Sequence, residues 1–422
     1  MVKINRRELG IGLGASAAGT SVFGTFAIAQ TAPKVVIIGG GPGGATVANQ
    51  LKQGDPNLDV TLIEVSKTYT TCFFSNLYFG GFRPYESLRH DYDGISKLGV
   101  KLVHQRATEV DTNARVVRTD GGRAFSYDRL VVAPGIDIKF GTIEGYTQQT
   151  TGQMPHAYLP GVQTQLFKRQ LDGMRDGGTV VLVPPPNPYR CPPGPYERAC
   201  MVASYLKTAK PRSKVLVLDA NPEIQSKKPL FERAFAQHYK DILEYRPNSE
   251  LKEVAGNVAK LDFEDVKADV LNVVPPQRGG DIARGAGLLN VNNRWVGVNW
   301  LSMESTALPG VHVLGDATFP APTMPKSGHM ANQHAKVAAA AIIQLLKGEA
   351  LNATPVVMNT CYSFVSGKDV IHVASVHQYN AEQKTFLPVQ GAGGVSAAAN
   401  QVEGRYALSW ADNIWADSLA LP

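Results

Sequence analysis

The glycine-rich segment Gly39–Gly44 is the feature that most constrains how this chain can fold. It follows a β-branched run, Lys34 to Ile38, which predicts a buried parallel strand. It leads into an alanine-containing stretch that predicts a helix to about Gln53. A second predicted strand, Asp59 to Ile63, ends in Glu64. This order of strand, GxGxxG loop, helix, strand and acid predicts a dinucleotide-binding βαβ unit.

Three glycines and one acid of this unit are the predicted contacts to the dinucleotide. Gly39 allows the tight turn, Gly41 lets the backbone approach the pyrophosphate, and Gly44 permits close packing of helix on strand. The N-terminus of the helix then offers free N–H groups and a positive dipole to the phosphates. Glu64, which comes 20 residues after Gly44, is placed for a ribose hydroxyl of the adenosine.

Two later strand ends indicate which dinucleotide is bound. Residues Tyr127 to Gly135 read YDRLVVAPG, and residues Gly310 to Asp316 read GVHVLGD. They resemble the ATG-like and GD motifs of flavoproteins with two dinucleotide-binding domains, in which the GD aspartate holds the ribityl chain of the flavin. The resemblance implies FAD, with Asp316 as a further contact. Lys326, just before a predicted helix from about His329 to Lys347, is also a predicted FAD contact.

A second α/β unit lies between these motifs, with predicted strands at Gly178 to Val183 and Lys214 to Leu218. In relatives that use NAD, the first of these strands enters a second glycine fingerprint. Here it enters a proline-rich loop, Pro184 to Pro195. Proline removes the N–H donors that a pyrophosphate needs and restricts φ. The sequence therefore predicts a second Rossmann-like domain without an NAD site.

The length of 422 residues predicts more than one core. We expect an α/β fold with two Rossmann-like dinucleotide-binding domains and a C-terminal α+β domain. The expected FAD-binding domain is discontinuous, at residues 30–145 and 275–350. The second domain is expected at residues 146–274 and the C-terminal domain at residues 351–422.

The N-terminus predicts export. Arg6 and Arg7 precede a mildly apolar stretch rich in glycine and alanine, which closes with the small-residue pattern Ala27 to Ala29. The paired arginines indicate a signal peptide of the twin-arginine type at residues 1–29 and a periplasmic protein. We expect no stable membrane insertion of the mature chain. The net charge of +6 is not clustered, so no nucleic-acid binding is expected, and no metal site is predicted.

The chain has four cysteines: Cys72, Cys191, Cys200 and Cys361. In an exported protein they allow three complete pairings, and two structural disulfides are one interpretation. Their positions favour another interpretation. Cys72 follows the second strand, Cys191 lies in the proline loop, and Cys361 follows the long helix. We therefore expect the first, second and fourth cysteines near the flavin. We interpret Cys200 as a core residue, with a reactive thiol as the alternative.

Taken together, these segments resemble the flavoprotein subunit of flavocytochrome c sulfide dehydrogenase over most of the chain. The segments are GGGPGGATVA, TYTTCFFSN, YDRLVVAPGI, RCPPGPYERA, PPQR, GDA, MPKSGHMAN and NTCYS. The resemblance implies that Cys72 binds FAD covalently and that Cys191 and Cys361 form a redox-active disulfide. It implies Glu197 as the acid/base, sulfide as the substrate, and a c-type cytochrome subunit as partner in a heterodimer, with haem on that partner only.

Two other functions remain open at this stage. The first is a sulfide:quinone oxidoreductase, for which an apolar or amphipathic C-terminal anchor is expected. The tail from Ala399 to Pro422 mixes aromatic and charged residues and has no strong apolar face. The second is a flavin electron carrier whose disulfides are only structural. The tail favours a protein acceptor over a quinone.

Overall fold

The computed structural model describes residues 32–421, so the predicted signal peptide lies outside the described residues. Among those residues the helices are α1 (Pro42–Gly54), α2 (Ser75–Phe79), α3 (Asp93–Lys97), α4 (Val162–Gly173), α5 (Gly194–Ala209), α6 (Lys228–His238), α7 (Asp281–Gly285), α8 (Gly328–Lys347) and α9 (Gln401–Leu419).

The strands alternate with these helices through most of the chain. In the first part they are β1 (Lys34–Ile38), β2 (Asp59–Ile63), β3 (Tyr69–Thr70), β4 (Arg89–His90), β5 (Lys101–Val103), β6 (Ala107–Asp111), β7 (Val116–Thr119), β8 (Ala124–Ser126), β9 (Arg129–Val132) and β10 (Ile136–Ile138). The middle part contains β11 (Thr179–Val183), β12 (Lys214–Leu218), β13 (Leu243–Arg246), β14 (Glu253–Ala255), β15 (Val258–Lys260), β16 (Asp265–Lys267), β17 (Val270–Val273) and β18 (Gln277–Gly279). The last part contains β19 (Val298–Asn299), β20 (Glu304–Ser305), β21 (Val311–Val313), β22 (Val356–Phe364), β23 (Val370–Asn380) and β24 (Thr385–Val395).

The largest sheet has the strand order β19-β20-β21-β9-β1-β2-β5. Its five strands from β21 to β5 are parallel, and β1 lies between β9 and β2. The apolar runs of these strands are buried because helices cover the sheet. Strand β21 comes about 180 residues after β9, so this Rossmann-like unit is built from two separate parts of the chain.

A second parallel sheet has the order β13-β12-β11-β17 and lies between those two parts in sequence. Helix α5 follows β11 and packs on β12. The expected fold class, two Rossmann-like units and a C-terminal α+β region, is confirmed. The predicted domain boundaries stay predictions.

The C-terminal region contains the antiparallel sheet β22-β23-β24 and helix α9. Helix α9 has one buried face, on which Trp415 and Leu419 join the core beneath the largest sheet. The carboxylate of Asp417 accepts a hydrogen bond from Asn332 in α8 at 2.6 Å and lies 2.9 Å from the ammonium of Lys336. These contacts join the tail to helix α8. Among residues 32–421, no helix combines the length and apolarity needed to cross a membrane.

The glycines of the loop between β1 and α1 differ in how closely other atoms surround them. A Cβ atom at Gly44 would lie 1.8 Å from the carbonyl oxygen of Gly39, because the helix packs directly on the turn. Gly39 itself has φ +98° and lies against the Ala133 carbonyl. Gly41 has no heavy atom within 4 Å of its Cβ position, so that side of the loop is open. Gly44 is therefore required for packing, whereas Gly41 leaves room for a ligand.

We expect Gly44→Ala to lower the free energy of unfolding of the apoprotein by about 1–3 kcal/mol, as overpacking of a core usually does. Gly41→Ala is the matched control, because its new methyl group meets open space and its φ of −71° suits alanine. Denaturant unfolding followed by circular dichroism measures both variants. Equal stability of the two variants would contradict the packing role assigned to Gly44.

Candidate active site

The glycine loop opens into a cavity of about 330 Å³, here called the glycine-loop cavity. Its wall includes Gly39, Gly41 and Glu64 from the first βαβ unit. A second cavity, of about 120 Å³, is lined by Cys72, Cys191, Cys361 and Glu197 and is here called the cysteine cavity. The two cavities share four lining residues: Cys72, Arg190, Asp316 and Gly328. A cleft therefore runs from the glycine loop to the cysteines.

The glycine-loop cavity has the donors that a dinucleotide requires. Helix α1 begins at the loop with no capping side chain and no acidic residue in its first turn, so its first N–H groups are free for phosphate. Glu64 accepts hydrogen bonds from the backbone N–H groups of Gly40, at 2.7 Å, and Ser66, at 2.9 Å. Each carboxylate oxygen keeps a lone pair for a hydroxyl donor. Gly39, Gly41 and Glu64 are thus brought together in one cavity, whereas Gly44 is not part of its wall and packs against the Gly39 carbonyl.

Asp316 supplies an independent sign that a hydroxyl-bearing ligand fits this cleft. It lies after β21 and lines both cavities. Its Oδ1 atom is buried and has no hydrogen-bond partner in the described structure. A buried carboxylate oxygen without a donor is unfavourable, and the hydroxyls of a ribityl chain would satisfy it. The residues present therefore fit FAD.

Lys326 lines the cysteine cavity, but its charged group contacts the protein rather than the open space of the cavity. Its ammonium donates to the carbonyl oxygens of Asp316, at 3.0 Å, and of Thr318, and it lies 3.7 Å from the ring centre of Trp295. Burial lowers the pKa of this lysine to about 7. The carbonyl oxygen of Lys326 accepts a hydrogen bond from the N–H of Cys191 at 2.7 Å. The side chain thus braces the wall of the cavity, and its contact to FAD stays a prediction.

The proline loop holds Cys191 in a demanding conformation. Cys191 has φ +57°, in the left-handed region that is unfavourable for residues other than glycine. A Cβ atom at Gly194 would lie 2.9 Å from the sulfur of Cys191 and 3.2 Å from the hydroxyl oxygen of Tyr158. That hydroxyl is buried without a partner. The absent side chain of Gly194 leaves the space that the thiol occupies.

Cys361 reaches the same cavity from strand β22. The amide of Asn359 donates to its sulfur at 3.3 Å, and the ammonium of Lys227 donates to its carbonyl oxygen at 2.9 Å. All four cysteines, including Cys72 and Cys200, are free thiols in this structure. Cys200 is fully buried in α5, as expected of a core residue.

Glu197 stands in the first turn of α5, between the two thiols and helix α2. Its carboxylate accepts hydrogen bonds from the side-chain amide of Asn76 and from the N–H of Phe364, each at 2.9 Å. Burial raises its pKa, although these donors oppose the shift. The structure thus places Glu197 in the same cavity as Cys191 and Cys361.

Burial is also the largest influence on the three thiols of the cleft. Cys72 and Cys191 are open to the cavities, yet protein atoms surround each sulfur closely enough to raise its pKa. The pKa of Cys191 is raised further by Cys361 and Glu197. Burial raises the pKa of Cys361 as well, but Lys227 and Asn359 oppose that shift.

The sequence alone did not single out several residues that contact this site. Asn76 and Asn359 lie within the segments TYTTCFFSN and NTCYS, so those segments carried a signal for them. Lys227 has no such signal, because it lies in an ordinary loop before α6. Its position next to Cys361 depends on a contact across 134 residues of sequence.

Comparison with known proteins identifies the family. The model "Sulfide dehydrogenase [flavocytochrome c] flavoprotein chain, central" matches residues 164–275. The model "Flavocytochrome c sulphide dehydrogenase, flavin-binding" matches residues 353–419, and the model "Pyridine nucleotide-disulphide oxidoreductase" matches residues 33–160.

Individual relatives agree with these models. The sulfide dehydrogenase [flavocytochrome c] flavoprotein chain of Chlorobaculum thiosulfatiphilum is 49% identical over 43 residues, which are 10% of this chain and 90% of that sequence. The sulfide-quinone reductase of Aquifex aeolicus (strain VF5) is 27% identical over 341 residues, or 74% of this chain and 76% of the relative.

The mitochondrial sulfide:quinone oxidoreductase of Mus musculus is 23% identical over 316 residues, covering 70% of this chain and 68% of that protein. Among solved structures, the sulfide:quinone oxidoreductase from Aquifex aeolicus shares the fold, with a TM-score of 0.77 and 20% identity over 92% of each chain. The family suggested by the sequence motifs is confirmed. The chain belongs to the flavoprotein chains of flavocytochrome c sulfide dehydrogenase, a family of sulfide-oxidising flavoproteins.

Proposed function

We propose that this chain oxidises sulfide with a Cys191–Cys361 disulfide and FAD, and passes the electrons to a c-type cytochrome subunit. The observation that carries the proposal is the meeting of Cys191, Cys361 and Glu197 in one cavity that joins the glycine-loop cavity. FAD, when bound, accepts two electrons and can release them one at a time to a haem. The glycine loop, Glu64 and Asp316 would hold it.

The protein residues provide the sulfur chemistry. Hydrosulfide attacks one sulfur of the disulfide, so that one S–S bond forms and the S–S bond between the two cysteines breaks. The products are a cysteine persulfide and the thiolate of the other cysteine. Glu197 is the base that takes the proton from H₂S, because its raised pKa makes its carboxylate more basic than an exposed one.

The choice of acceptor separates this proposal from the quinone-dependent alternative. Several relatives are named sulfide:quinone oxidoreductases, which favours quinone as the second candidate acceptor. Against it, the face of α9 that carries Trp415 and Leu419 is buried in the core and is not offered to a membrane. The C. thiosulfatiphilum relative is named as a flavocytochrome chain. We therefore favour the cytochrome, and with it a periplasmic location reached through the twin-arginine signal, which cell fractionation tests.

Anaerobic addition of sulfide to the purified flavoprotein is expected to bleach the oxidised-flavin absorbance band. Cys191→Ser and Cys361→Ser are expected to abolish the bleaching, since each removes half of the disulfide. Cys200→Ala is the matched control and should bleach as the unaltered protein does. A soluble c-type cytochrome added next should be reduced faster than a short-chain ubiquinone. Absorbance unchanged by sulfide contradicts the activity, and faster quinone reduction contradicts only the acceptor.

We further propose that FAD is covalently attached through Cys72, whose thiol lies where the two cavities meet. After denaturation and precipitation, the flavin absorbance is expected to remain with the unaltered protein. With Cys72→Ser it should stay in the supernatant, while Cys200→Ala behaves like the unaltered protein. Intact mass spectrometry supplies the same comparison. Complete release of flavin from the unaltered protein disproves the attachment.

We expect Glu197→Gln to slow sulfide-dependent bleaching by about 10²–10⁴-fold, the usual contribution of a general base. The base acts only when ionised, so the rate of the unaltered protein should fall as pH drops through the raised pKa of Glu197. Glu223→Gln, an exposed glutamate paired with Lys228, is the control. The ionisation of sulfide is common to all three proteins. An acid limb that Glu197→Gln and the control share equally would rule out Glu197 as the base.

A further inference from the structure

The two cysteines of the cysteine cavity have unequal surroundings. The sulfur of Cys361 receives a hydrogen bond from the side-chain amide of Asn359 at 3.3 Å. No hydrogen bond to the sulfur of Cys191 is present among the described residues. A thiolate gains more from an N–H donor than a neutral thiol does, because the acceptor is then charged. The amide therefore favours the ionised form of Cys361.

The direction of the Asn359 amide is set by a neighbouring hydroxyl. Ser327, the N-cap of α8, accepts a hydrogen bond from the N–H of Met330 at 2.9 Å. Its own proton is therefore free, and its oxygen lies 2.5 Å from Oδ1 of Asn359. Both ends of the Asn359 amide lie near the sulfur of Cys361, the nitrogen at 3.3 Å and Oδ1 at 3.5 Å. Since Oδ1 takes the Ser327 proton, the nearer NH₂ group is the one that donates to the sulfur. Asn359 is buried, so water does not compete for these bonds.

A buried cation reinforces the same cysteine. The ammonium of Lys227 donates to the carbonyl oxygen of Cys361 at 2.9 Å and to the hydroxyl of Ser363 at 2.7 Å. The lysine is 7% exposed, and burial lowers its pKa to about 8, so it is largely charged at neutral pH. Its field lowers the pKa of Cys361 against the effect of burial.

The other ionisable groups around the pair act differently. Glu197, from α5, raises the pKa of both cysteines. Cys191 also interacts with Cys361 and Cys72, which raise its pKa, and with Arg190, which lowers it. The buried cations Arg198 and Lys227 interact with Cys191 as well, so the direct hydrogen bond from Asn359 is what distinguishes Cys361. His329, at the start of α8, accepts the N–H of Thr360 at 3.0 Å, and burial lowers its pKa to about 4, so it is neutral. Glu403 of α9 acts on Lys227 and helps to keep it charged.

From this asymmetry we infer that sulfide attacks Cys191 and that Cys361 is the leaving thiolate, held by Asn359 directly and by Lys227 as a positioning residue. The inference rests on the proposed function. Hydrosulfide forms an S–S bond to the sulfur of Cys191, the bond between Cys191 and Cys361 breaks, and its electron pair stays on Cys361. The thiol whose thiolate is better stabilised is the better leaving group. The step needs no further oxidant or reductant.

The first test uses no sulfide. The holoprotein is reduced with a phosphine under argon and alkylated briefly with iodoacetamide over a range of pH. Peptide mass spectrometry then gives the alkylation rate of each cysteine. The pH midpoint of each profile reports the thiolate, whereas accessibility changes only the height of the profile. We expect the lower midpoint at Cys361, and a lower midpoint at Cys191 overturns the inference.

The variants identify the groups responsible. Asn359→Leu or Lys227→Met should raise the midpoint of Cys361 and reduce its alkylation rate at neutral pH by about tenfold, as expected for loss of one interaction with a charged group. Lys227→Arg should keep the original midpoint. Lys228→Met, which removes the adjacent exposed lysine, is the matched control. If Asn359→Leu does not fold, Ser327→Ala tests the same hydrogen-bond chain. An unchanged Cys361 midpoint in the folded variants overturns the assignment of these groups.

The second test locates the transferred sulfur. The oxidised holoprotein is mixed with one equivalent of sulfide without oxygen, quenched in acid within about a second and analysed by peptide mass spectrometry. We expect the persulfide on Cys191. A persulfide on Cys361, with the flavin bleached, overturns this inference and leaves the proposed function intact. No persulfide on either cysteine, with unchanged flavin absorbance, contradicts the proposed function, while the alkylation profiles still test the asymmetry of the two thiols.

Discussion

The hydrogen bond from the N–H of Cys191 to the carbonyl oxygen of Lys326 joins the parts of this molecule on which its chemistry depends. It connects the proline loop after β11 to the segment before α8, two places that are 135 residues apart in the chain. A phosphate-binding loop after β11 would direct its backbone N–H groups at a ligand. In this chain, the loop instead directs the N–H of Cys191 at the carbonyl oxygen of Lys326. The thiol of Cys191 is thereby held at the cleft.

The cysteine cavity contains charges that are costly to bury. Arg198 is 4% exposed and donates to the carbonyl oxygens of His156 and Ala157 and to the side chain of Asn272. Glu197 also lines the cavity and is hydrogen-bonded, and the buried Lys227 donates to the carbonyl oxygen of Cys361. Buried charges persist only where partners compensate their lost hydration, and such groups commonly mark functional sites. This pattern is typical of a site that handles anions and protons.

The C-terminal region completes both the fold and the site. Strand β22 brings Asn359 and Cys361 to the cavity and places the N–H of Phe364 on Glu197. Helix α9 then packs its buried face on the core of the first Rossmann-like unit. The region that carries Cys361 is therefore packed against the region that forms the glycine loop. Relative movement of the two would separate Cys361 from the glycine loop.

Local patterns in the sequence determined the first βαβ unit almost completely. The bounds of β1 and β2 match the predicted strands, because a β-branched run beside a glycine turn has few other ways to bury itself. The motifs also indicated the family and predicted that a second α/β unit lies between the two parts of the first. An α+β C-terminal region was expected, but the position of helix α9 was not predicted. Its sequence has only a weak apolar periodicity, and its burial depends on contacts with α1 and α8.

The tertiary structure alone decided the environment of each candidate site residue. Cys191, Cys361 and Glu197 carry motif signals, but only folding brings them to one cavity. The ammonium of Lys326 donates to two carbonyl oxygens, and Lys227 contacts Cys361. No local pattern in the sequence predicted either contact. Secondary structure follows from neighbouring residues, which the sequence shows directly. The pKa of a thiol follows from burial and from charges that approach it through space, so it depends on residues that are distant in the chain.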